Sequence, residues 1–192
     1  RRVEPTTMFG LASVSKAITA IAALKLVDEG RLNLEDRAYE ILNNIRPLPG
    51  QRLDPRTLRI TVRQLLNHSS GYTEQPDKEK VSRELGIPRP KLREYEVIQS
   101  FRGHPLGFDP GTKQVYSNFG FVLAGAVVER IMDVPYGPAI HRLVLSPMGI
   151  KRPYLGHGGP RRPDTAVPYG PAARPLPPID VPGAPAGGWV FS

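Results

Sequence analysis

The 192-residue chain contains no cysteine. That excludes disulfides, thiol nucleophiles and cysteine-held zinc, and it leaves the redox compartment unmarked. Histidine is scarce too. His68, His104, His141 and His157 stand far apart and no H-E-x-x-H pair occurs, so neither a metal site nor a cofactor is expected. Long apolar runs are missing: the best candidate, residues 17–27, includes Lys25 and falls short of the ~18 residues a membrane span needs. No apolar stretch of signal-peptide length follows the basic start at Arg1. Alternating strand patterns are few.

What is present suits a folded, water-soluble protein, with 40% hydrophobic and 23% charged residues. Lys and Arg outnumber Asp and Glu by 26 to 18, giving a net charge of +8. The arginines are spread along the chain, often beside acids, as in "EGRLNLEDR". Only "PRTLRITVR" (55–63) gathers them, and it lacks interleaved aromatics. Nucleic acid is therefore not an expected partner.

Hydrophobic periodicity predicts five helices. The first runs from Ser13 to Glu29, is closed by Gly30, and is apolar around most of its circumference. The second is "TVRQLLNHSSG" (61–71), with Thr61 as N-cap and Gly71 as stop. The third covers about 94–101 and the fourth 118–132; a fifth lies in "PYGPAIHRLVLSPMGI" (135–150). From Lys151 onward Pro and Gly dominate, which excludes a long helix or a central strand.

The first helix opens with "ASVSKAITA" (12–20), which sets two serines beside a lysine. Residues three apart share a helix face and adjacent ones do not, so Lys16 meets Ser13 rather than Ser15. A lysine among apolar side chains is pushed toward its neutral form, and a neutral amine can take a serine proton. The helix N-terminus adds stabilisation for negative charge. With 9 Ser and 7 Lys, chance alone supplies about a third of one Ser-x-x-Lys, so the motif needs company.

That company is a set of further segments. "MFGLASVSKAITAIAALKLVDEGRLNLED" resembles the nucleophile segment of the serine β-lactamase and penicillin-binding protein superfamily, in the branch of class C β-lactamases, D-alanyl-D-alanine carboxypeptidases and family VIII esterases. "ITVRQLLNHSSGY" (60–72), "FDPGTKQVYSNFGFVLAGAVVERIMDVPYG" (108–137), "LSPMGIKRPYLG" and "PAGGWVFS" resemble its later landmarks in order. The resemblance implies an α+β fold, a β-lactamase/transpeptidase-like sandwich with a large helical insertion. It implies a serine hydrolase acting through an acyl-enzyme on an ester, amide or β-lactam, in an extracytoplasmic compartment, with the cytoplasm left open.

Residue by residue, the resemblance makes Ser13 the nucleophile, Lys16 its base partner and Tyr116 the second proton carrier, as general base or as acid to the leaving group. Asn118 becomes a substrate-binding hydrogen-bond donor that also meets the lysine. Without Ser13 and Lys16, Tyr116 would read as a core aromatic and Asn118 as a plain N-cap. Lys16 and Tyr116 are expected to matter for chemistry more than for folding. His68 reads as a packing residue behind the site, and "HGG" (157–159) as a decoy of the family's third motif.

Against the family pattern the chain divides into 1–35, the nucleophile-helix part of the catalytic domain, and 36–150, a helical region carrying Tyr-x-Asn. Residues 151–185 form a Pro/Gly-rich excursion, and 186–192 begin the return to the catalytic domain. The third motif and a second oxyanion donor are expected beyond Ser192, so a C-terminal segment of the same protein is an expected partner. Residues 1–192 alone are expected to be poorly ordered and inactive. A competing reading takes the chain as a catalytically incomplete homologue that acts as an interaction module through "RPLPPID" (174–180).

Overall fold

The computed structural model describes residues 2–150, 153–155, 164–171, 174–175, 184–187 and 189–191. Helices carry the fold. α1 (Ser15–Asp28) and α6 (Asn118–Met132) cross at its centre, with α2 (Ala38–Ile41), α3 (Val62–Leu66), α5 (Glu94–Phe101) and α7 (Tyr136–Ile140) packed around α6. α4 (Lys78–Leu85) sits against α5 over a small separate cluster of Val81, Leu92 and Val97. β1 (Phe9–Gly10), β2 (Tyr154–Leu155) and β3 (Trp189–Phe191) make an antiparallel sheet in the order β1-β3-β2. α8 (Ala184–Gly187) is a single turn wedged against α1 and α6.

α1 starts two residues later than expected. A 3-10 turn, Ala12–Val14, carries Ser13 and leads into it. Its far end is the expected one. Gly30 takes φ +67°, and the Arg31 and Gly30 N–H groups return to Leu26 O and Val27 O, both at 2.9 Å. α3 is shorter than expected. Thr61 and Gln64 form the reciprocal cap at its start. The helix then stops at Leu66 and not at Gly71, because His68 itself adopts φ +62°. The N–H of Ser69 closes on Gln64 O at 2.9 Å. Gly71 serves a different purpose: at φ +95°, a Cβ there would sit 2.6 Å from Phe108 O.

The core is one continuous cluster running from Ile18, Ala22 and Leu26 of α1 through Phe119, Val122 and Leu123 of α6. Close crossing of α8 over α6 depends on Gly125, where a Cβ would meet Pro185 Cγ at 2.1 Å. Three elements escaped the periodicity reading. α4 is capped by Asp77, which accepts the Glu79 and Lys80 N–H groups, and is closed by Gly86 at φ +64°. α2 is too short for periodicity to register, and α8 hides in a Pro/Gly-rich stretch. Among the described residues no helix is long and apolar enough to cross a membrane.

Candidate active site

The turn that carries Ser13 is clipped to the sheet on both sides. Leu11 N–H donates to Trp189 O at 2.9 Å, and Trp189 N–H donates to Ser15 Oγ at 3.2 Å. Ser15 is therefore buried and engaged by backbone, while Ser13 is left to face other side chains. Lys16, one residue into α1, is 5% exposed. Its Nζ donates to Ser13 Oγ at 3.2 Å, Asn118 Oδ1 at 2.7 Å and Ala186 O at 2.6 Å. Three acceptors from three different elements thus gather around the Lys16 nitrogen.

Tyr116 Oη is hydrogen-bonded to Ser13 Oγ. Its ring lies 4.8 Å below Lys16 Nζ, and the side chain is 49% exposed, so the phenol stands between the lysine and open solvent. Partial burial pushes its pKa up, but hydrogen bonding to Lys16 and Ser13 and the lysine charge outweigh this. The net result is a phenol below its ordinary value of 10.0. All four expected site residues, Ser13, Lys16, Tyr116 and Asn118, thus meet around one point. Neither bland reading of the last two holds: Tyr116 is not in the core, and the N-cap of α6 is Ser117, whose Oγ accepts Gly120 N–H at 3.1 Å.

Behind Tyr116 lies His68. Its Nδ1 accepts Ser117 N–H at 3.1 Å, and its ring packs 4.6 Å from that of Tyr116 and 5.1 Å from that of Phe121. Desolvation first, then the Lys16 charge, lowers its pKa despite the Ser117 contact. A neutral ring with its proton on Nε2 is what an accepting Nδ1 requires. The other flank was not anticipated. Thr19 Oγ1 donates to Pro185 O at 2.8 Å and meets Tyr136 Oη at 2.8 Å, and Trp189 Nε1 donates to the same phenol at 3.2 Å. Together with Lys16 and Ala186 O, this network fastens α8 to α1. Lys16 is thus also part of what holds α8 in place.

A cavity of about 800 Å³ opens at the far end of α6 between Leu42, Tyr95, Glu129 and Leu155, away from this cluster. It contains none of the four site residues. The "HGG" segment (157–159) lies outside the described residues, as does the proline-rich stretch beyond Arg174 and Pro175.

The Beta-lactamase family matches residues 1–192, and the chain belongs to that family. Esterase EstB of Burkholderia gladioli is 34% identical over 175 residues, 88% of this chain and 43% of that protein. The D-stereospecific amidohydrolase from Streptomyces sp. superposes with a TM-score of 0.77 at 25% identity, covering 98% of this chain and 58% of its own. The octameric penicillin-binding protein homologue from Pyrococcus abyssi gives 0.72 at 29% identity, with 98% and 43% covered. The chain thus spans less than half the length of EstB. The expected fold class holds: a β-lactamase/transpeptidase-like fold, represented here mainly by helices with little strand.

Proposed function

We propose that Ser13 is the acylated nucleophile of a serine hydrolase acting on esters or related amides. The observation that carries this reading is that Ser13 Oγ is touched at once by Lys16 Nζ at 3.2 Å and by Tyr116 Oη. Lys16 Nζ is shared among Ser13 Oγ, Asn118 Oδ1 and Ala186 O, whereas Tyr116 Oη is directed at Ser13 Oγ. In this reading Lys16 and Tyr116 act as a couple on Ser13, with Tyr116 as the proton carrier. Lys16 and Ser13 favour the deprotonated phenol, and in that form Tyr116 Oη takes the Ser13 proton as Oγ bonds to the substrate carbonyl carbon. The tetrahedral adduct collapses, and the departing alcohol or amine takes that proton from Tyr116. Water then attacks the acyl-enzyme, gives one proton to Tyr116, and releases the acid as Ser13 recovers its hydrogen. Asn118, pinned by Oδ1 to Lys16, keeps its amide N–H bonds for the substrate.

An esterase reading comes first because of the likeness to EstB. An amide substrate follows from the amidohydrolase neighbour, and a β-lactam from the family. The outer side of α1 supports a further partner. Val14, Ile21 and Leu24 are 63%, 47% and 45% exposed on a helix otherwise built into the core. We propose that an additional segment of the same protein covers them.

The nucleophile assignment is tested by labelling the full-length protein with a fluorophosphonate or penicillin probe and mapping the adduct. The peptide carrying Ser13 is expected to be modified, and Ser13→Ala to abolish labelling. Labelling that persists in Ser13→Ala and vanishes in Ser15→Ala would reverse the assignment.

A further inference from the structure

Tyr116, Ser117 and Asn118 place the proposed proton carrier and the lysine partner at the entry to α6, and three of their backbone groups are bonded by side chains from elsewhere. His68 Nδ1 takes the Ser117 N–H. The other two positions belong to a single residue, Gln75. Its Nε2 donates to Tyr116 O at 3.2 Å, and its Oε1 accepts the Asn118 N–H at 3.1 Å. Asn118 is the first residue of α6, so its N–H has no acceptor within the helix. Gln75 supplies one, spanning the tripeptide as a neighbouring strand would.

A side chain braces only as well as its own backbone is held, and that of Gln75 is held on both sides. Upstream, Gly71 O accepts Gly107 N–H at 2.9 Å, and Glu74 meets His104 Nδ1 at 2.8 Å. The His104 ring is itself stacked on Phe101, 4.3 Å between centroids. Downstream, Asp77 is committed as the N-cap of α4.

We propose that Gln75 is a positioning residue that fixes Tyr116 Oη on Ser13 and Asn118 Oδ1 on Lys16. This rests on the hydrolase reading above. Shifting the Tyr-x-Asn backbone by a fraction of an ångström would lengthen both contacts at once, since they leave the same short segment in the same direction. The effect belongs in turnover, where alignment of the proton carrier counts, and in the ionisation of Tyr116, which its contacts with Lys16 and Ser13 lower. Gln75 is exposed, so its replacement leaves the core intact.

The test uses the full-length protein with a p-nitrophenyl ester or nitrocefin, whichever it turns over. Gln75→Met keeps the shape and removes both hydrogen bonds. It is expected to lower kcat by roughly ten-fold or more, leave KM within about two-fold, and move the rising limb of the pH–rate profile to higher pH. Gln75→Glu retains the acceptor for Asn118 and loses the donor to Tyr116, so its kcat is expected between the two. Unchanged kcat and pH limb in Gln75→Met would overturn the proposal. So would a rise in KM alone, which would mark a substrate contact instead. Ser13→Ala run in parallel separates the two levels: activity surviving there sinks the hydrolase reading itself. A silent Ser13→Ala beside a fully active Gln75→Met sinks only the brace.

Discussion

The two sides of α1 invert the usual order of a surface helix. Its inner side buries Ser15, Lys16 and Thr19 among Ile18, Ala22 and Leu26, whereas its outer side exposes Val14, Ile21 and Leu24. On the inner side each polar group is satisfied by something distant in sequence: Ser15 by Trp189, Lys16 by Asn118 and Ala186, Thr19 by Pro185 and Tyr136. Burying polar groups costs stability unless they are paired, and here the pairing gathers Lys16, Tyr116 and Asn118 around Ser13, the proposed nucleophile. Among the described residues nothing covers the outer side.

Breaking the inner face has the largest expected effect. Lys16→Ala removes the cation that holds Tyr116 and orphans both Asn118 Oδ1 and Ala186 O. Turnover is expected to fall by on the order of 1,000-fold. The orphaned buried Ala186 O costs about 1–3 kcal/mol and the part-buried Asn118 Oδ1 less, so the melting temperature falls by roughly 3–12 °C as well. An unchanged melting curve would show that α8 is not held through Lys16.

Breaking the outer face is the smallest perturbation, and it sharpens the contrast through chain length. In residues 1–192 alone, Ile21→Gln and Leu24→Gln replace side chains that are already about half exposed, so each is expected to change stability by no more than ~0.5 kcal/mol. In the full-length protein the same changes are expected to cost about 1–3 kcal/mol each, the scale of burying such a side chain. Paired urea titrations at both lengths measure this. Equal and small effects at both lengths would mean that nothing covers the face.

The inner and outer faces also differ in how far they could be read from residues alone. The all-round apolar character of residues 14–27 was plain, but periodicity does not say which side is buried, and the buried side includes the polar Ser15, Lys16 and Thr19. The four site residues were legible because Ser13 and Lys16 share a helix face, and because the resemblance of 108–137 singled out Tyr116 and Asn118. α5 and α6 matched their predicted spans because the apolar spacing there is unbroken. α4 carried readable signals, Asp77 at its start and Gly86 at its end, with only Val81 and Leu85 as an apolar stripe. α8 was out of reach: "APAG" has no helical signature, and its place is set by Lys16 and Thr19 gripping its carbonyls. Gln75 was equally hidden, since its importance lies in two backbone groups some 40 residues away.

The central claim is that a lysine-held Tyr116 takes the Ser13 proton, and the pH dependence of Ser13 acylation tests it directly. The phenol of Tyr116 lies below its ordinary value of 10.0, and the reactive form is the deprotonated one. The acylation rate is therefore expected to rise with pH through a single ionisation below 10. Tyr116→Phe should remove that rising limb and lower the rate by on the order of 100-fold, with little change in melting temperature because the side chain is half exposed. A Tyr116→Phe enzyme that keeps both the limb and the rate would contradict the claim.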